Sequence, residues 1–219
     1  MKIIAVNVGL PKLVEINNAQ VATGIYKKPV ETPIWLAKLG LNGDGQADAT
    51  VHGGEHQAVY SYPLEHYKYW QDTLSLSNLP FGTFGENFTV TGMFEEQICV
   101  GDILQIGHAN TGAVVQVTMP RIPCFKFGHK IGRPQVLNQF LHSGRSGFYQ
   151  RVITEGEVSA GDSVTLLERD PQGINIRVAL GLQKLNEGDG ALLQRALKIT
   201  SLAPLLRNVF EERLASYQS

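Results

Sequence analysis

The chain carries 19 Lys and Arg against 20 Asp and Glu over 219 residues, a balance that excludes a global field for gathering nucleic acid or an anionic membrane and makes any anion site local. That length allows a full core and moderately exceeds the usual single-domain size of about 100–150 residues, so one main domain with an appendage is expected. Two cysteines make no disulfide framework, no apolar run reaches the ~20 residues that span a bilayer, and the start Met1-Lys2-Ile3-Ile4-Ala5-Val6 lacks a signal peptide's apolar stretch, so a protein of the reducing cytoplasm is expected.

Twenty-three glycines punctuate short runs rich in Val, Ile and Thr, the pattern of a strand-rich fold with many turns. Strands are predicted over residues 3–8, 20–26, 57–62, 87–90, 103–106, 113–118, 147–152 and 163–167. Two helices interrupt them. Residues 63–74 open on Pro63 and carry the aromatic stripe Tyr62, His66, Tyr67 and Trp70, and residues 134–142 place Val136, Leu137 and Phe140 on one face. Such an aromatic stripe is a core feature before it is a cofactor feature. Gly101-Asp102 and Gly161-Asp162 each precede a β run, either as an internal repeat or as a common turn. After Arg169-Asp170-Pro171-Gln172-Gly173 the pattern turns helical, over residues 178–184, 191–199 and 202–217, with Asp189 and Ser201 as N-cap candidates. The boundary falls near Asp170, giving a β domain over 1–169 and a helical extension over 170–219. Each of these helices is too short to stand alone and must pack on the others or on the β body.

Several loops hold ligand-type residues. Lys27-Lys28-Pro29 is a cationic turn. Residues 39–48 and 51–56 contain five glycines with Asn42, Asp44, Gln46, Asp48, His52, Glu55 and His56, so backbone N–H groups there can approach an anion or a polar ring. His52 and His56 have the i, i+4 spacing of a zinc pair, but Gly53 and Gly54 oppose a helix and Glu55 is out of place for a metalloprotease motif. In Phe81-Gly82-Thr83-Phe84-Gly85-Glu86-Asn87-Phe88, either Asn87 bonds a heterocycle edge or Glu86 and Asn87 satisfy their own turn. Cys99 has apolar neighbours and reads as a core thiol. Cys124 differs: in Met119-Pro120-Arg121-Ile122-Pro123-Cys124-Phe125-Lys126-Phe127-Gly128 it stands where prolines end a strand, with Arg121 and Lys126 near. A thiolate so placed is a ligand or a nucleophile. Arg145, in Ser143-Gly144-Arg145-Ser146-Gly147, is either an anion clamp or an exposed turn arginine.

The ordered set GDGQAD, VHGG, FGEN, MPRIPC and SGRSG resembles the MOSC family, named after the C-terminal domain of molybdenum-cofactor sulfurases. The likeness covers nearly the whole chain, and the tail after Asp170 is similar to the three-helix extension of the family's YiiM-type bacterial branch. It departs from that branch at one loop, where Glu55-His56 stands for Pro-Asp after the two glycines. The resemblance implies a mainly β, barrel-like core with a few helices, and a molybdenum cofactor (molybdopterin) bound through Cys124 as molybdenum ligand; pyridoxal phosphate is not expected. It also implies a pocket for pterin and phosphate from Lys27, His52, Gly53, Gly54, Asn87, Arg121 and Arg145. The implied activity is reduction of N-hydroxylated bases and hydroxylamines to amines, with an external flavoprotein as electron donor and His52 or Asp44 relaying protons. Two other readings stay open: a non-catalytic cofactor or sulfur carrier, and a metal-free enzyme with Cys124 as nucleophile and His52 or His129 as base.

Overall fold

The computed structural model describes residues 1–47 and 53–217. In chain order the strands are β1 (Lys2–Val8), β2 (Lys12–Ile16), β3 (Ala19–Thr23), β4 (Lys28–Val30), β5 (Ile34–Ala37), β6 (Gly40–Leu41), β7 (Val59–Pro63), β8 (Phe88–Thr91), β9 (Ile103–Ile106), β10 (Ala113–Pro120), β11 (Phe148–Thr154), β12 (Gly156–Val158) and β13 (Val164–Glu168). The helices are α1 (Glu65–Leu74), α2 (Phe125–Ile131), α3 (Val136–Ser143), α4 (Ile176–Leu180), α5 (Gly190–Leu197) and α6 (Pro204–Ser216).

Eight strands form the main sheet in the order β13-β9-β10-β11-β7-β8-β1-β4. Neighbours are antiparallel except β7 and β8, whose parallel pairing is made possible by the crossover through α1. The sheet curls until its β13 edge reaches the start of β1. Lys2 bridges Ser163, and the backbone bonds Ile3 N–H to Asp162 O (2.9 Å) and Val164 N–H to Met1 O (2.9 Å) stitch the start of β1 to the entry of β13. The result is barrel-like and mainly β, with the seam closed by a few bonds in place of a full ladder. A three-stranded sheet, β12-β5-β6, and the β2–β3 hairpin lie beside it.

Each predicted strand has a counterpart, though residues 24–26 leave β3. Five strands were not read from the sequence. The β2–β3 hairpin turns on Asn17 and Asn18, both left-handed (φ 52° and 62°), as a two-residue hairpin turn demands. β4 carries Pro29 at the sheet edge, where no ladder donor is needed. Pro63 ends β7 and does not open α1: it pairs with Val90, and Leu64 N–H continues to Val90 O at 2.7 Å. The Gly-Asp echo is a shared turn, since Gly101 and Gly161 have φ +95° and +98° and each aspartate accepts from the N–H three residues back, Cys99 and Ser159.

In the tail, Asp189 accepts from Leu192 N–H as the cap of α5. Ser201 caps nothing; α6 starts at Pro204 after Ala203, and proline's fixed φ supplies the first turn. Between α4 and α5, Gly181–Leu185 widens into a π-helical turn. One apolar cluster runs from the sheet (Ile3, Leu104, Val117, Phe148) into the tail (Ile176, Leu206, Phe210) without interruption. A second, aromatic cluster holds Tyr62, Trp70, Phe84, Phe127 and Phe140, with Tyr62 stacked on Phe84 at 4.2 Å. The aromatic stripe of α1 is therefore core.

Candidate functional site

β10 leads directly to the site. After Pro120 pairs with Phe148, the chain leaves the sheet, and Cys124 adopts an extended conformation (φ −117°, ψ 170°) as the N-cap residue of α2. Prolines and glycines obscured α2 in the sequence; it forms because Phe127 inserts into the aromatic cluster and Gly132 (φ +75°) closes its C-terminus. Cys124 is half-buried and lines an open cleft together with Lys27, Asn87, Arg121, Lys126 and Tyr149.

Arg121 forms the inner wall, 5% exposed. Its guanidinium packs on the rings of Phe127 (4.8 Å), Phe140 (5.0 Å) and Tyr60 (5.3 Å), and Nη1 has no partner among the described residues. Burial alone lowers its pKa, but the oxygens of Tyr60 and Tyr149 and the sulfur of Cys124 outweigh that and raise it, so the group is a fixed cation. Tyr149 accepts from Arg121, and burial holds its phenol above the usual range.

The opposite wall is tied by Asp44. Its Oδ1 accepts from Lys27 Nζ (2.5 Å) and Gly9 N–H (2.9 Å), and its Oδ2 from Lys27 Nζ (2.6 Å) and Asn87 Nδ2 (2.8 Å). Asn87 also donates to Asn7 O (3.3 Å) and accepts from Tyr60 N–H (3.1 Å), so its amide braces three segments while lining the cleft. Burial lowers the Lys27 pKa and Asp44 partly restores it. Gly24, Gly45 and Gly85 line the same wall; a Cβ on Gly24 would stand 2.2 Å from Gly45 O, so backbone meets backbone here.

Glu86 is buried behind the cleft. Its Oε1 accepts from Tyr67, Gly82 N–H (2.8 Å) and Thr89 (3.0 Å), and burial raises its pKa despite them. Lys130 caps the carbonyls of Gly82 (2.6 Å) and Ile25 (2.8 Å), with burial lowering its pKa to about 8 against the pull of Glu86.

The structure thus brings Lys27, Asn87, Arg121 and Cys124 to one cleft, with Asp44 behind its wall. It does not bring Arg145 there. The turn around it serves packing: Gly147 N–H donates to the buried Glu95 (2.7 Å), Tyr60 donates to Ser146 O (2.7 Å), and a Cβ on Gly147 would stand 2.4 Å from Ser61 O. Arg145 leaves this turn to lie over Tyr69 of α1 at 3.9 Å. Gly53 and Gly54 are absent from the cleft lining, Gly54 accepting from Gln57 N–H (3.0 Å) in a short 3-10 turn. His129 is exposed and lines no part of it. His52 and Asp48 lie outside the described residues. His56 is half-buried, and burial, then Arg151, lowers its pKa. Among the described residues no group of three or more His, Cys, Asp and Glu could hold a metal, so no zinc site includes His56 there. Sequence reasoning missed Gln57, Tyr60, Phe84 and Tyr149; the last two stand inside the quoted FGEN and SGRSG neighbourhoods, which was the available signal.

This strand-rich core, with a cysteine at the end of β10 facing a cationic cleft, defines a class: the MOSC domain model matches residues 48–165, and the chain belongs to that family. A molybdenum-cofactor-associated function comes with the family. The chain is 39% identical to the protein YflK of Bacillus subtilis (strain 168) over 93% of its own length and 88% of that protein's. It is 35% identical to the protein YiiM of Escherichia coli (strain K12) over 67% of this chain and 65% of that one. A Gibberella moniliformis protein named reductase shares 30% identity over 90% of this chain but only 35% of its own length. Among solved structures, YiiM from Geobacillus stearothermophilus superposes with a TM-score of 0.81 at 32% identity, covering 97% of this chain and 98% of that one. No helix among the described residues is long and apolar enough to cross a membrane.

Proposed function

We propose that the chain is a cytoplasmic molybdenum-cofactor-dependent reductase that converts N-hydroxylated compounds, hydroxylaminopurine-type bases and hydroxylamines, to amines, with Cys124 as the protein ligand of molybdenum. The observation that carries this reading is the pairing of Cys124 with Arg121 in one cleft, where a buried guanidinium has an unpartnered Nη1. A buried donor without a partner costs about 1–3 kcal/mol, so a ligand offering an anionic or acceptor atom recovers that cost on binding. A thiolate is a soft ligand suited to a molybdenum centre, and the cationic groups Lys27, Arg121 and Lys126 suit the phosphate of a pterin cofactor.

When bound, the cofactor would supply the two-electron chemistry. The overall change balances as R–NHOH plus two electrons and two protons giving R–NH₂ and water, with the N–O bond broken and a flavoprotein supplying the electrons. The chain's own residues orient and charge the site. Arg121 holds positive charge at its inner wall, and Tyr149 presents a phenol hydrogen-bonded to Arg121. Asp44, with both oxygens engaged, acts as a positioning residue for Lys27 and Asn87 in place of the proton relay read from the sequence. His52 keeps its proposed role in moving protons.

Protein made in cells that assemble molybdopterin should contain molybdenum and turn over 6-hydroxylaminopurine with a flavoprotein reductase present. Cys124→Ser should lose metal and turnover together; metal retained by that variant would overturn the ligand assignment. Stoichiometric in place of catalytic substrate loss would instead point to a carrier.

A further inference from the structure

The charge of this near-neutral chain is unevenly placed. Between Asp102 and Glu155 it has six Lys and Arg and no acidic residue, and between Glu15 and Glu31 it has Lys27 and Lys28 and again none. Both stretches line the Cys124 cleft, through Thr23, Ile25 and Lys27 on one side and Arg121 and Lys126 on the other. Cations therefore gather at this end of the molecule, where a local field steers an anionic partner and is screened by salt.

Helix α2 carries that field to the surface. Phe127 and Gly128 are buried, Lys126 faces the cleft, and Lys130, one turn further on, caps the carbonyls of Ile25 and Gly82. Phe125 and His129, also one turn apart, are left exposed, and Arg133 is exposed just beyond the helix. The β2–β3 hairpin extends the surface: Lys12 Nζ lies 4.1 Å from the ring centre of Tyr26, and Lys130 Nζ lies 5.6 Å from the same ring. Strand alternation puts Glu15 on the opposite face of β2 from Lys12.

Phe125 is the informative residue. It keeps 52% of its surface exposed although it directly follows Cys124, and an aromatic side chain among cations is the make-up of a protein interface, with an apolar centre and a charged rim. A nucleic acid that stacks its bases needs aromatics in succession along a groove, whereas Phe125 is the single exposed aromatic of α2.

We propose that the exposed face of α2, with the adjoining Lys12, is the docking surface for an acidic FMN-carrying protein of the flavodoxin type that delivers electrons to the Cys124 cleft. The proposal rests on the reductase reading for the partner's redox role. Overall, reduced FMN gives up two electrons and two protons and is left oxidised, while R–NHOH takes them up, its N–O bond breaks, and R–NH₂ and water form. Electron-transfer partners make small, transient, salt-sensitive complexes that bury less than about 1,200 Å², an area on the scale of one short helix face and a hairpin base.

Binding of purified flavodoxin, followed by titration calorimetry with protein from molybdopterin-assembling cells, is the direct test. Raising salt from about 20 to about 200 mM should weaken it by about tenfold or more. The triple change Lys12→Glu, His129→Glu and Arg133→Glu, all at exposed positions, should weaken it comparably at low salt and flatten its salt dependence, whereas Phe125→Ser should weaken it with the salt dependence kept. In turnover of 6-hydroxylaminopurine the triple variant should raise KM for reduced flavodoxin, yet match the wild-type kcat with reduced methyl viologen, a small donor that needs no docking surface. Flavodoxin that fails to bind wild type at low salt, or binds both variants as tightly as wild type, overturns the docking surface; so does a single-stranded oligonucleotide that binds more tightly than flavodoxin and is lost in the same variants. Wild-type protein without molybdenum or viologen-driven turnover overturns the reductase reading instead, and flavodoxin binding abolished by the triple change would still uphold the surface.

Discussion

The side chains of Lys27 and Asp44 are 8% and 5% exposed, and each would be an expensive buried charge without the other. Asp44→Asn is expected to destabilise the fold by about 3 kcal/mol in urea titration, whereas the double change Lys27→Met with Asp44→Leu should cost less than the single one. Equal costs for the two would remove the pair from the account of the cleft wall. Gln183 predicts the opposite sign: removing an unsatisfied buried acceptor in Gln183→Leu should stabilise the protein by about 1 kcal/mol and raise Tm. Lys130 gives a pH signature. Its folded pKa, about 8, lies below the 10.5 of the unfolded chain, so the folded state releases this proton first and unfolding takes one up. Its charged form penalises the fold below pH 8, and stability rises with pH between those values. Comparing wild type with Lys130→Met at pH 7.5 and at about 9.5 isolates the effect; the wild type should gain relative to the variant, and a constant difference would refute the assignment.

At the scale of elements, what was legible and what was not divides on how local the cause is. Strands with β-branched runs, such as β10, and helices with a continuous apolar face, such as α3, appeared in the sequence because their own residues dictate them. α2 did not, since its seven residues contain Gly128 and are held by the burial of Phe127 against Phe84 and Phe140. The β2–β3 turn is legible in Asn17-Asn18, since asparagine as well as glycine adopts the left-handed region that a two-residue hairpin turn requires. The site shows the same division. Cys124 and Asn87 stood in recognisable motifs, but nothing local shows that Asn87 is braced by Asp44, or that Arg145 turns away to Tyr69. Caps are local causes, and the Asp189 cap of α5 is expected to be worth about 1 kcal/mol, read as the loss in denaturant midpoint for Asp189→Ala.

For the whole molecule, the division near Asp170 marks a change from strand to helix, and we propose it as a boundary of architecture and not of cooperativity. The apolar cluster crosses it, with Ile176, Leu206 and Phe210 packed in the same core as Leu104 and Val117. A single unfolding transition by calorimetry is therefore expected for the full chain, and a chain ending at residue 170 should lose cooperative unfolding; two transitions in the full chain would establish independent domains. The surroundings of Cys124 depend on this coupling, because Lys184, Leu205 and Val209 line a cleft beside it only while the tail is docked.

The stitched edge between Met1–Ile3 and residues 161–164 also orders events during synthesis. β1 can recruit β4 and β8 early, yet the outer edge of its first residues stays open until Ser163 has left the ribosome. Contacts so distant in sequence form late and slowly. The nascent chain thus carries an unpaired strand edge on β1 until β13 has been made, and that edge is where a stalled or truncated product would pair with a neighbouring chain.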